Sequence, residues 1–312
     1  MALTAAAVGV MAGAVLLHGH RSEPQAQQKL IVEPEPSYRP DAVSVRRHPE
    51  VDTDVFLYIN HWRNSAPRLG HGGLVERDIL TPGDPLKPPK KGAVLKYIKS
   101  YAQAVLEART NTQPVRNEVE QAFLFVTGGT GRVEAGAKKA RLEEGTAVFV
   151  PAGLEYRLFN PGNRPLEMVL VTEAAAPGFR PQGEISVGSY HQAEPAIGHH
   201  WAHVARAFIY DVPPKFSNPM GFAVVSIDKF DIAQPHTHGP GIEEIWYQIK
   251  GRSLLFFGNR LLHQEPGEAF LIPPNDKVPH SSINPTDEPV TWLYMGCQHE
   301  EDARKDPKSK QD

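Results

Sequence analysis

Residues 113–129, QPVRNEVEQAFLFVTGG, can be laid on residues 234–251, QPHTHGPGIEEIWYQIKG, with Gln-Pro opening both and Gly128 matching Gly251. Further on, EGTAVFVPAGLEYRLFNPGNRPLEMVLV (144–171) lies on PGEAFLIPPNDKVPHSSINPTDEPVTWLYM (266–295). Each copy runs glycine, five residues, proline, a turn, a strand and Asn-Pro. Such self-similarity constrains the fold strongly, because it makes one supersecondary unit occur twice. With 312 residues the chain has the length to give each copy its own core. The two units are expected at about 93–175 and 217–300.

Within the units, apolar residues come in short alternating runs such as LKYIKSYAQAVLE, AFLFVTG, TAVFVPAG and LEMVLV, each bounded by Gly, Pro or Asn. Alternation at period 2 places these runs on strands, and no long 3.6-period stretch competes, so the expectation is an all-β barrel or sandwich. Residues 23–92 are rich in proline and charge (EPEPSYRP, LTPGDP, LKPPKK), which predicts a largely irregular N-terminal extension with VFLYINHW (55–62) as its best strand. Residues 176–216 are expected to be a connection, and 301–312 a polar tail.

The opening run from Ala2 to Leu17 is apolar apart from Thr4, though no Lys or Arg precedes it. It is long enough for the hydrophobic region of a signal peptide and shorter than most membrane spans. Residues 1–22 are therefore expected to be a signal peptide or an N-terminal membrane anchor, making the protein periplasmic or secreted; without that signal it is cytoplasmic. Cys297 is the single cysteine, which excludes an intramolecular disulfide, and it reads as a small half-buried residue at the end of WLYMGC. A net charge of -3 provides no field to draw the chain onto nucleic acid.

The chemistry is concentrated in the second copy. On a strand, side chains two apart face the same way, so His236 and His238 project together. A turn built on Gly239, Pro240 and Gly241 reverses the chain and brings Glu244 opposite them. His280 arrives after the turn Pro273-Pro274-Asn275-Asp276. Three imidazoles and a carboxylate suit one divalent transition metal with open coordination positions; iron or manganese is favoured, and Cu, Ni or Zn would also fit. Glu243 is the rival to Glu244, but period 2 turns it outward.

These residues resemble the cupin superfamily, and specifically a two-cupin protein, or bicupin. The first cupin motif is carried by His236-x-His238-x5-Glu244-x6-Gly251 and the second by Gly267-x5-Pro273 followed by His280-x3-Asn284. The chain departs from the family in two places: the loop between His238 and the glutamate is a residue or two longer, and PPNDKVPH replaces a tighter Pro-x-Gly turn. The resemblance covers roughly 180 of the 312 residues and implies two tandem cupin (double-stranded β-helix, jelly-roll) barrels.

By the same overlay, Val115, Asn117, Gln121 and Tyr156 of the first copy stand where His236, His238, Glu244 and His280 stand in the second. The first cupin is thus expected to hold no metal and to pack, to form a homodimer or to close over the second. Trp246, Gln248, Ser282 and Trp292 are nominated as walls of the second pocket, with Gln248 and Glu244 as the candidate catalytic groups. Phe270 and Tyr294 read as core aromatics. His199 and His203 are four apart and would share a face if helical, while His200 and Arg206 are placed to reach an anionic substrate. The resemblance implies a metal-dependent oxidoreductase, in first place a dioxygenase on a small aromatic or enolic substrate. The alternatives are a redox-neutral isomerase, lyase or decarboxylase acting on a sugar acid or carboxylate, and a metal-stabilised binding protein without turnover.

Overall fold

The alternating runs fold as strands because each has one face to bury. The structure is a computed structural model describing residues 53–197, 201–205 and 220–299. Among these the regular elements are strands and short 3-10 turns. In the first barrel, Glu120–Gly128 lies between Thr146–Val150 and Leu166–Ala174, which pairs in turn with Ile98–Leu106, all antiparallel. A further sheet is made of Thr110–Asn111, Tyr156–Asn160, Thr130–Ala135 and Lys138–Glu143. The second barrel repeats the plan. Ile242–Lys250 lies between Glu268–Ile272 and Val290–Gln298, beyond which comes Met220–Ile227. Its further sheet is Arg260–Gln264, Ser253–Phe257 and His280–Ile283.

Period 2 divides each strand between two cores. Leu124 and Val126 point into the first barrel, whereas Phe123 and Phe125 join a cluster that continues into the second. At that junction Phe123 stacks on Phe222, with ring centroids 3.6 Å apart, and Tyr101 tilts onto Tyr247 at 6.3 Å. The two barrels therefore share one apolar interface, and their inward faces remain separate.

Over its described part, the stretch up to residue 92 also holds strands. Leu74–Pro82 pairs with Ile98–Leu106 and is a full strand of the first barrel, flanked by Arg68–Gly70 and, in parallel, by Ala93–Leu95. Prolines punctuate this stretch but fall at strand ends or between strands, where the missing N–H breaks no ladder. Within VFLYINHW the first three residues form a 3-10 turn and only Ile59–His61 is a strand.

Ile59–His61 precedes the first barrel in sequence yet pairs with Glu268–Ile272 of the second. Ser186–Ser189 precedes the second barrel and pairs with Thr146–Val150 of the first. Each barrel thus borrows an edge strand from the segment leading into the other. The residues after each borrowed strand cap a motif glycine: a Cβ on Gly267 would lie 2.6 Å from the Trp62 indole nitrogen, and one on Gly145 would lie 2.6 Å from Tyr190. Residues 176–216 are accordingly more than a connection, since Ala196–Ile197 and His203–Ala205 also extend the second barrel's sheet. His203 lies on that strand, not on a helix, and its Nε2 sits 3.0 Å from Asp228 Oδ2. His199, His200, Arg206 and the apolar start fall outside the described residues.

Candidate metal centre

His236 and His280 form a two-way backbone bridge, His236 N–H to His280 O at 3.2 Å and His280 N–H to His236 O at 3.0 Å. That bridge closes the mouth of the second barrel and sets two imidazoles side by side. His238 is fixed from the following turn, where the Asp276 amide donates to the His238 carbonyl at 2.7 Å. Asp276 takes a φ of +60°, a left-handed conformation that Asp tolerates better than most residues. The first barrel makes the same contact with a glycine, Gly153 N–H to Asn117 O at 2.7 Å. This is the physical content of the altered turn in PPNDKVPH.

Glu244 enters from the facing strand. One ligand atom from each of His236, His238, Glu244 and His280 lies within 4.8 Å of the others. Glu244 Oε2 is 2.8 Å from His238 Nε2, and Glu244 Oε1 is 3.5 Å from His280 Nε2. Trp246 Nε1 donates to Glu244 Oε1 at 2.7 Å. His236 Nδ1 is 3.0 Å from the Gln234 carbonyl, which can only accept, so the proton sits on Nδ1 and the lone pair on Nε2.

The charges suit a cation. Burial would raise the Glu244 pKa, but His238 and His280 hold it well below the usual carboxylate range. Burial lowers His280 to about 4 and also lowers His236, so both imidazoles are neutral donors. Burial acts downward on His238 as well, yet Glu244 outweighs it and leaves its pKa raised. The Nε2 atoms of His236, His238 and His280 are buried, and those of His238 and His280 lie against the Glu244 carboxylate. Buried polar groups must be satisfied, and a divalent ion bound to these nitrogens and the carboxylate would satisfy all of them at once.

The remaining nominated residues divide. Trp246 and Trp292 are buried and stacked, with centroids 4.8 Å apart, and Ser282 Oγ is buried without a partner. Gln248 is buried too, but its Nε2 donates to the carbonyls of Lys250 at 3.0 Å and Gly251 at 3.2 Å, where the strand register shifts. It lies four residues along the strand from Glu244, about 13 Å at the usual rise. Gln248 therefore supports the scaffold at a distance from the His236, His238, Glu244 and His280 cluster. Asn284 is a turn-former: its Nδ2 donates to Asp228 O and Glu288 O, as Asn160 does to Leu106 O and Arg164 O in the first barrel.

The overlay of the two copies needs one correction. In the sheets Ala122 faces Val150 just as Glu244 faces Ile272, and Val150 and Ile272 each precede the motif proline. Ala122, not Gln121, occupies the place of Glu244, and Gly129 (φ +78°), not Gly128, matches Gly251 (φ +76°). The Gly128-Gly129 doublet hid this, because sequence does not say which glycine takes the left-handed turn. Val115 and Tyr156 do stand at the places of His236 and His280, joined by the same bridge with both bonds at 2.9 Å.

The sequence reading foresaw neither the role of Glu243 nor the burial of Glu76. Glu243 does face away from the metal ligands, but toward the neighbouring barrel. Its carboxylate accepts the amides of Lys96 at 3.0 Å, Tyr97 at 2.9 Å and Ile98 at 3.2 Å, while burial pushes its pKa up to about 7. Glu76, from the lead-in, is buried and lies 2.5 Å from both Arg68 Nη1 and His71 Nδ1. Cys297 is buried, and burial with Glu243 and Glu173 raises its thiol pKa, so it is an inert core residue.

Two tandem β-barrels, one of them carrying three imidazoles and a carboxylate at its mouth, define a duplicated barrel protein with a candidate divalent-metal centre. Residues 104–172 and 223–296 each match the Cupin domain family, and the chain belongs to the cupin superfamily as a bicupin. Among solved structures it is similar to a deletion mutant of Bacillus subtilis oxalate decarboxylase (TM-score 0.57, 15% identity, 76% of each chain). It is similar also to a putative glyoxylate-induced protein from Pseudomonas aeruginosa (0.57, 13%, 77% of this chain and 82% of that one). AerE from Microcystis aeruginosa gives 0.56 at 11%, over 78% of this chain and 100% of that one. At these identities the likeness is one of fold. No curated protein matches the chain.

Proposed function

We propose that the protein is a mononuclear metal-dependent oxidoreductase, a dioxygenase acting on a small aromatic or enolic substrate at the second barrel. The observation that carries the metal reading is the gathering of three imidazoles and the Glu244 carboxylate, one ligand atom from each within 4.8 Å of the others. A divalent ion there, iron or manganese in first place, would supply Lewis acidity and an exchangeable electron. The chain's own part is to hold His236 and His280 neutral and Glu244 anionic, and to shield the site with Trp246, Trp292 and Phe270. That aromatic wall supports an unsaturated organic substrate over a small dicarboxylate.

Oxalate decarboxylase, whose Mn(II) centres are named for the Bacillus subtilis protein, shares the fold and supports a second reading, redox-neutral decarboxylation or isomerisation. Oxygen consumption separates the two. Iron-reconstituted protein offered a catechol and flavonol panel is expected to take up dioxygen in step with substrate loss; turnover under strict anaerobiosis excludes the dioxygenase. The His280→Ala protein is expected to lose metal and turnover together. Retained turnover in that variant would refute the assignment of the site. Export directed by residues 1–22 belongs to the same proposal, and N-terminal sequencing of the protein from its host tests it.

A further inference from the structure

We propose that Trp246 is a positioning residue whose indole N–H holds Glu244 as a one-oxygen metal ligand; this rests on the metal reading above. Its Nε1 donates to Glu244 Oε1 at 2.7 Å, between two side chains on the same face of one strand. The ring is clamped by Trp292 stacked at 4.8 Å and by Phe270 edge-on at 5.4 Å, and it meets His280 at 5.1 Å. One side chain therefore touches two of the four ligands. Trp is a donor only, so it has nothing to exchange with Oε1 but this single bond. Oε1, held by the indole, stands 3.5 Å from His280 Nε2, whereas Oε2 comes closer to a ligand nitrogen, 2.8 Å from His238. A carboxylate restricted to one donor oxygen leaves coordination positions for substrate.

The first barrel is an internal control. Sheet register puts Ala122, Leu124, Val148 and Met168 at the places of Glu244, Trp246, Phe270 and Trp292. That barrel builds its core without an aromatic at any of them, so the scaffold does not require an indole at this place. The donor occurs where the carboxylate occurs and is missing where it is missing. Trp292, by contrast, has a buried Nε1 with no partner and serves the indole by stacking.

The test compares full-length protein, stripped with chelator and reloaded with Mn2+ alone, across three variants. Trp246→Phe removes the N–H and is expected to weaken Mn2+ binding about 10- to 100-fold, the usual effect of losing a hydrogen bond to a metal ligand. Its Mn(II) paramagnetic resonance spectrum is expected to change as Glu244 is freed to bind through both oxygens. Phe222→Leu loosens the buried cluster at the barrel junction but spares the N–H and its packing, and is expected to lower the melting temperature with affinity and spectrum unchanged. Should Trp246→Phe fold poorly, a benzothienyl analogue placed at 246 alone keeps the ring shape and lacks the donor, with the same expected loss. Wild-type affinity and spectrum in both donor-free proteins would overturn the inference and leave the metal reading standing. A wild-type protein that binds none of Mn2+, Fe2+, Ni2+, Cu2+ or Zn2+ would overturn both.

Discussion

A proton and a metal ion compete for the same nitrogen at His238. Its pKa is raised above 6.5 because Glu244 favours the imidazolium, whereas His236 and His280 are already neutral through burial. A metal ligand must be deprotonated, so the sign is fixed: affinity holds above the raised value and falls as pH drops through it. The apparent dissociation constant for Mn2+ is expected to rise about tenfold per pH unit once His238 is protonated. Titrations across pH 5 to 8, roughly the histidine range, check this, and a pH-independent constant would show that the proton does not compete there. The grouping of His236, His238 and Glu244 could be read from sequence because their spacing is local, and that of His280 because its motif follows a known pattern. Glu243 could not be assigned its role, since the amides it serves are 145 to 147 residues away.

Between elements, register decides what a residue does. Gln121 lies on the face of its strand that looks toward the second barrel, and its Nε2 donates to Glu173 at 2.9 Å with both groups buried. Gln121→Glu would set two buried carboxylates together and is expected to cost about 3 kcal/mol near neutral pH, read from chemical denaturation. Under the overlay read from sequence the same change would sit inside the barrel, away from Glu173; an unchanged midpoint would favour that overlay. The Glu243 carboxylate similarly joins the Ile242–Lys250 strand to the turn that opens Ile98–Leu106. Glu243→Ala leaves three amide donors without their acceptor and is expected to cost about 3 kcal/mol, with unfolding still a single transition. The strands themselves were legible from period 2. What sequence could not supply was the one-residue offset at the Gly128-Gly129 doublet, and the strands hidden among prolines before residue 92.

For the whole molecule, the exchanged edge strands make the two barrels interdependent. Ile59–His61 covers the edge of Glu268–Ile272, and Ser186–Ser189 covers the edge of Thr146–Val150. The shared cluster of Phe123, Phe125, Phe149, Phe222 and Tyr247 adds a large apolar face that neither barrel can hide alone. A cut after Gly178, in an exposed turn, leaves each fragment carrying the edge strand that belongs to the other. Either fragment by itself then exposes both an unpaired edge and the aromatic face, two routes to aggregation. Expressed alone, each is expected to aggregate or self-associate; expressed together, they are expected to form a one-to-one complex that binds Mn2+ like the intact chain. Native mass spectrometry and metal titration read both outcomes. A second barrel that folds alone as a monomer with full Mn2+ affinity would mean that the borrowed strand is incidental to its mouth. The duplication made two barrels legible in sequence, but the exchange joins segments more than two hundred residues apart at Ile59 and Phe270, and no local pattern records such a pairing.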